Sequence, residues 1–145
     1  MAYKFETRMV SARLFTESFE RCARLGISLN AAANYGLEIL IKAHQRHQLF
    51  SLGFSHNYFM WKDGASGRKT QPTTLRIRHD YLDYIEMQGL IRNKMLNYAV
   101  VHVCSMIENG EMFASAISEG PAGRGIARRN VYTNSSTSGE EGREK

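Results

Sequence analysis

No apolar run in this 145-residue chain approaches the length of a membrane span. The longest, around Leu37 to Ile41 and Tyr98 to Cys104, fall far short of the roughly 20 residues that a helix needs to cross a bilayer. The opening MAYKFETRMV carries charges where a secretory leader would carry its apolar stretch. These two absences predict an intracellular, cytoplasmic protein with no membrane partner. Cysteine is scarce as well: Cys22 and Cys104 stand alone on predicted core faces. Neither has a cysteine or histidine at ligand spacing, so both read as small buried hydrophobes, with no disulfide or metal role. No nucleophile-base-oxyanion set, phosphate-cradling glycine loop or paired catalytic carboxylate is present. His44 and His47 lie one turn apart with His56 downstream, but no carboxylate or cysteine joins them at fixed spacing, and no metal is expected. The chain reads as a non-enzyme without a cofactor.

What is present is a balanced composition, 43% hydrophobic and 23% charged, with a net charge of +5. Such a chain can build a real core, and its basic balance favours a polyanionic partner. Arg76, Arg78, Arg92 and Lys94 cluster in one region; Arg124, Arg128 and Arg129 cluster in another.

The chain also repeats itself. Arg13, Gly26, Asn30, Asn34 and Tyr35 recur as Arg76, Gly89, Asn93, Asn97 and Tyr98, each pair 63 positions apart, as 76 is from 13. Leu14/Ile77, Glu17/Asp80, Phe19/Leu82, Glu20/Asp83, Cys22/Ile85 and Leu37/Val100 keep their chemistry at the same spacing. Such a unit cannot usually bury its apolar face alone, so the copies are expected to pack on each other.

Within each copy the periodicity changes. Ser11 to Phe15 and Thr74 to Arg78 alternate: Ala12/Leu14 and Leu75/Ile77 share one face, and Ser11/Arg13/Phe15 and Thr74/Arg76/Arg78 share the other. Two short strands are predicted. A first helix follows each, with Phe19, Cys22 and Ala23 inward in copy one and Leu82 and Ile85 inward in copy two. Gly26 and Gly89 end these helices. Second helices are predicted from Ser28 to His44 and from Ile91 to Ile107, nearly apolar all round in the middle. The expectation is one compact domain over 1–118, made of repeats 10–44 and 73–107. They are joined by a connector at 45–72 rich in aromatics (Phe50, Phe54, Tyr58, Phe59, Trp61) that forms a hairpin or an irregular cover. A short helix is predicted near Met112 to Ile117, and a Gly/Ser/Thr-rich flexible tail at 119–145.

A strand, a short helix, a glycine turn and a longer helix, present twice, resembles the ribbon-helix-helix fold of the Arc/MetJ repressor family, over about Val10 to Ile41 and Thr73 to Cys104. The resemblance implies a mainly α protein with a short two-stranded antiparallel β-ribbon, here a tandem pseudo-dimer in one chain, as in some relaxosome accessory proteins of conjugative plasmids. It implies sequence-specific binding of double-stranded DNA, with the ribbon in the major groove, by a transcriptional repressor or a plasmid or phage accessory factor. Ser11, Arg13, Phe15, Thr74, Arg76 and Arg78 would then read bases, arginine being suited to bidentate contact with guanine. The second-helix N-termini would hold phosphates, which places Ser28, Asn30, Arg92, Asn93 and Lys94 on the DNA backbone. Arg124, Arg128 and Arg129 would form a basic arm adding sequence-independent affinity. Self-association on adjacent DNA sites stays open.

Blander readings stand beside these. Arg13 and Arg76 also suit a solvated strand face, Asn34 and Asn97 suit hydrogen bonding across the second-helix pair, and Tyr35 and Tyr98 suit core aromatics with edge hydroxyls. Three other classes compete. One is a helix-turn-helix around Gly26-Ile27-Ser28, which would leave the strands without a purpose. Another is an interaction module, an antitoxin or phage-encoded inhibitor, holding a protein partner through exposed Phe54, Tyr58 and Trp61. The third is a single-strand binder that stacks bases on those rings.

Overall fold

A computed structural model describes residues 6–62 and 67–118. Strand β1 (Thr7–Phe15) runs without a linker into helix α1 (Thr16–Leu25), followed by α2 (Leu29–Gln45). Strand β2 (Thr70–Arg78), α3 (His79–Met87) and α4 (Arg92–Glu108) repeat that order, and a short α5 (Ala114–Ser118) follows. Both strands and both long helices keep the 63-residue spacing at each end. The protein is mainly helical, with one two-stranded antiparallel sheet.

The register puts Ser11 opposite Thr74, residues that are themselves 63 apart, with Thr7 opposite Arg78 and Phe15 opposite Thr70. Each strand extends four residues upstream of the predicted start. The extension of β2 includes Pro72, and proline cannot donate to a ladder. It pairs with Arg13, whose own N–H points away from the ladder to Asn93, so proline occupies a position where no ladder donor is needed.

One sheet face supplies Val10, Ala12, Leu14, Leu75 and Ile77 to the core. The other core layer is the α2–α4 crossing, where Leu37, Leu40, Leu96, Val100 and Val103 are fully buried. Burying each such side chain contributes about 1.5–3 kcal/mol. Both first helices end on a glycine in the left-handed region, Gly26 at φ 75° and Gly89 at φ 69°. Ile27 N–H donates to the Cys22 carbonyl and Leu90 N–H to the Ile85 carbonyl, so each helix closes in a Schellman turn with an apolar residue tucked behind it. Ala23, expected inward, is exposed; the buried α1 positions are Ser18 and Cys22.

The connector is an irregular cover built on two 3₁₀ turns, Leu49–Leu52 and Tyr58–Met60. Phe54, Tyr58, Phe59 and Tyr98 form a ring cluster with centroids 5.0–6.2 Å apart. Phe59 and Leu49 are buried, whereas Trp61 is 64% and Phe50 74% exposed. Among the described residues no helix is long and apolar enough to cross a membrane. The tail expected from 119 onward, with Arg124, Arg128 and Arg129, lies outside the described residues.

Candidate nucleic-acid interface

The outward face of the ribbon is built by strand alternation. Thr7, Met9, Ser11 and Arg13 on β1 oppose Arg78, Arg76, Thr74 and Pro72 on β2. Met9, Ser11, Arg13, Pro72, Thr74 and Arg76 are all exposed. The two arginines occupy corresponding positions and lie diagonally across the ribbon. Arg13 donates from Nε to Thr70 Oγ1 and from Nη2 to the Thr70 carbonyl, both at 3.3 Å. Arg76 donates from Nη1 to Thr7 Oγ1 at 3.3 Å. Thr7 and Thr70 are likewise 63 apart, so the outward face has near-twofold chemistry centred on Ser11 and Thr74. An open depression at this centre is lined by Ser11, Ala12, Arg13, Pro72, Thr73, Thr74 and Asn93.

Four asparagines hold the ribbon from its edges, each reaching the strand of the other repeat. Asn93 Oδ1 accepts from Arg13 N–H and Asn30 Oδ1 from Arg76 N–H, both at 2.8 Å. One turn on, Asn97 Oδ1 accepts from Phe15 N–H at 2.8 Å and Asn34 Oδ1 from Arg78 N–H at 2.9 Å. The Nδ2 groups of Asn97 and Asn34 donate to the Arg13 and Arg76 carbonyls at 2.8 and 2.9 Å. The outer backbone groups of a two-stranded ribbon would otherwise be a template for pairing with other chains. Here those of Arg13, Phe15, Arg76 and Arg78 are filled by side chains, which fix the ribbon against both second-helix N-termini. Asn34 and Asn97 were expected to bond across the helix pair; they bond to the strands instead.

Three expected contacts need correction. Phe15 and Arg78 end their strands, and both are only 8% exposed. At each, the backbone (φ −55° and −56°) turns the chain into a helix, so alternation no longer governs the side chain. The Phe15 ring packs edge-on against Tyr98, with the Arg68 guanidinium 3.5 Å above it. The Arg78 guanidinium lies 4.3 Å over the Tyr81 ring and bonds both Asp80 carboxylate oxygens, at 3.0 and 2.6 Å. Neither can present itself to a base. Lys94 is 7% exposed. Its ammonium donates to the Tyr58 and Trp61 carbonyls at 2.6 and 2.8 Å and sits 3.7 Å from the Tyr58 ring centroid, so it secures the connector rather than facing outward.

The remaining expected backbone contacts flank the ribbon. Ser28 is exposed and caps α2, accepting from Ala31 N–H at 3.0 Å. Arg92 is exposed at the first residue of α4, whose N-cap Ile91 offers no side-chain acceptor. Asn30 and Asn93 stand at the helix starts, with their amides committed to the ribbon. Thr7, Met9, Thr70 and Pro72 also belong to the outward face. The identity of Thr7 and Thr70 at the repeat spacing was the signal that could have found them.

His44, His47 and His56 come together, but as a stack, with centroids 4.6 and 4.5 Å apart. Parallel rings do not converge their nitrogens on one point, and no group that could hold a metal ion occurs among the described residues. Comparison with protein-family models, with curated proteins and with solved structures finds no match.

Proposed function

We propose that this chain is a sequence-specific double-stranded DNA-binding protein of the ribbon-helix-helix type. In this reading it is a pseudo-dimer fused in one chain, acting as a repressor or as an accessory factor at a plasmid or phage locus. The observation that carries the reading is the outward ribbon face, with exposed Arg13 and Arg76 in corresponding places around Ser11 and Thr74. A two-stranded ribbon fits the major groove, and paired guanidinium groups suit guanines in a nearly symmetric site. The exposed starts of α2 and α4, with Ser28 and Arg92, sit where flanking phosphates would be held. Strand conformation from Ser11 to Phe15 favours this reading over a helix-turn-helix.

The test is selection of duplexes from a random pool, followed by fluorescence anisotropy on the enriched sequence. Arg13→Ala and Arg76→Ala should each cost ~1–3 kcal/mol on that duplex and much less on random DNA. Failure to enrich any duplex, or equal competition by single strands, would refute it.

A second reading, a protein partner held by the connector, draws on the exposure of Phe50 and Trp61. Phe54 and Tyr58 contribute less to it, being engaged in the ring cluster.

A further inference from the structure

The two cysteines are 82 residues apart in the chain, yet Cys22 Sγ and Cys104 Sγ lie 3.7 Å apart in the core. One belongs to α1 and the other to α4, so the pair spans the two repeats. The corresponding positions in the opposite arrangement are Ile85 and Ile41, both buried. A thiol pair therefore stands where the repeat elsewhere uses two hydrocarbon side chains. We propose that Cys22 and Cys104 are a redox modification site: a small hydroperoxide converts the two thiols into a disulfide that ties α1 to α4.

The chemistry balances in two steps. Cys104, as thiolate, attacks the peroxide oxygen; the O–O bond breaks, giving a sulfenic acid and, after protonation, an alcohol or water. Cys22 then loses its proton and attacks the Cys104 sulfur, forming the S–S bond and expelling hydroxide, which leaves as water. Two thiols are oxidised and one peroxide bond is reduced. The two thiols share a hydrogen bond; that bond and the nearby Arg21 lower the pKa of Cys104, while the same bond and burial raise that of Cys22. The sulfurs must close from 3.7 Å to about 2.05 Å.

Both thiols are buried, so a peroxide reaches them through local opening of α1. Its buried face carries Ser18 and Cys22 where α3 has Tyr81 and Ile85, and the Ser18 hydroxyl has no hydrogen-bond partner among the described residues. Phe19 and Leu25, which lie partly buried against the core, and the Arg21–Glu108 ion pair are the contacts that this opening must break. The disulfide would then hold β1, α1 and α4 as one unit, because β1 runs directly into α1 and Asn93 and Asn97 already fasten β1 to α4.

The experiment treats the full chain with dilute hydrogen peroxide and follows intact mass, peptide maps and Tm. The expected result is a monomer that has lost two hydrogens, a linked Cys22–Cys104 peptide pair, and a Tm raised by several degrees and restored by dithiothreitol. Cys104→Ala should abolish the link and the shift; wild-type thiol counting by alkylation under denaturing conditions gives the same reading without a variant. Unreacted thiols, oxygen added to a lone cysteine, or disulfide-linked dimers would each overturn the proposal.

Discussion

Gly36 of α2 packs against the backbone of Ala99 of α4, the residue that holds its place in the second repeat. A Cβ added at Gly36 would fall inside van der Waals contact with the Ala99 carbonyl and Cα, and backbone atoms cannot swing aside as a flexible side chain can. The helices approach this closely only because one side of the crossing has no side chain. Gly36→Ala should therefore cost ~3 kcal/mol or more in urea denaturation, against the usual gain of about 1 kcal/mol for Gly→Ala within a helix. A neutral or stabilising result would mean that the helices are farther apart than described.

The asparagine clamps predict a graded response. Asn97→Ala leaves the buried Phe15 N–H without its acceptor and should cost ~2–4 kcal/mol, combining the lost bonds with the penalty for an unpaired donor. Asn97→Asp keeps an acceptor for that N–H but loses the donor to the Arg13 and Asn93 carbonyls. Native-state hydrogen exchange at Phe15 should accelerate strongly in the alanine variant and less in the aspartate variant. Equal exchange in wild type and Asn97→Ala would remove the clamp.

Much of this architecture was legible because the repeat has no gap. Gly26 and Gly89, and the asparagines four residues apart, carry the register of the long helices from one copy to the other, and their observed bounds lie within a residue or so of the expected ones. What alternation could not reveal was where it stops. Phe15 and Arg78 look outward on a strand pattern and are buried because the chain turns into a helix there. Lys94 looked like a phosphate contact because charge at a helix start is usually solvated; its carbonyl partners lie 33 and 36 residues away, on the connector. The cysteine pair was hidden for the same reason, since an 82-residue separation leaves no local pattern.

The correction at Lys94 separates structural from electrostatic roles. Lys94→Met removes two charge-assisted bonds to the connector and should cost ~2–4 kcal/mol. Because the chain has one tryptophan, the fluorescence of Trp61 reports directly on release of the segment. In DNA titrations the salt slope should be unchanged by Lys94→Met, whereas Arg92→Ala should lower it by about one. A slope change of about one for Lys94→Met at constant Trp61 emission would return Lys94 to the interface.

Stability should fall in acid in two stages, the first set by the histidine stack. Burial, helped by repulsion from His56 and His47, lowers the pKa of His44 from its ordinary 6.5; its Nδ1 lies 2.6 Å from the Tyr84 hydroxyl on α3. The unfolded chain therefore takes up this proton at a higher pH than the folded one. His44 is neutral and costs nothing above about pH 6.5, and stability is lost as the pH falls from there toward the lower folded value. Burial shifts His102 in the same direction. Glu108 behaves separately: its hydrogen bond with Arg21 holds the carboxyl below its usual 4.5, so its contribution persists above that value and disappears only as the pH falls through the lower folded one. Urea midpoints measured from pH 8 to 3 should show both stages. His44→Gln should flatten the upper stage, and Glu108→Gln the lower one. An upper stage unchanged by His44→Gln would move its origin away from the stack.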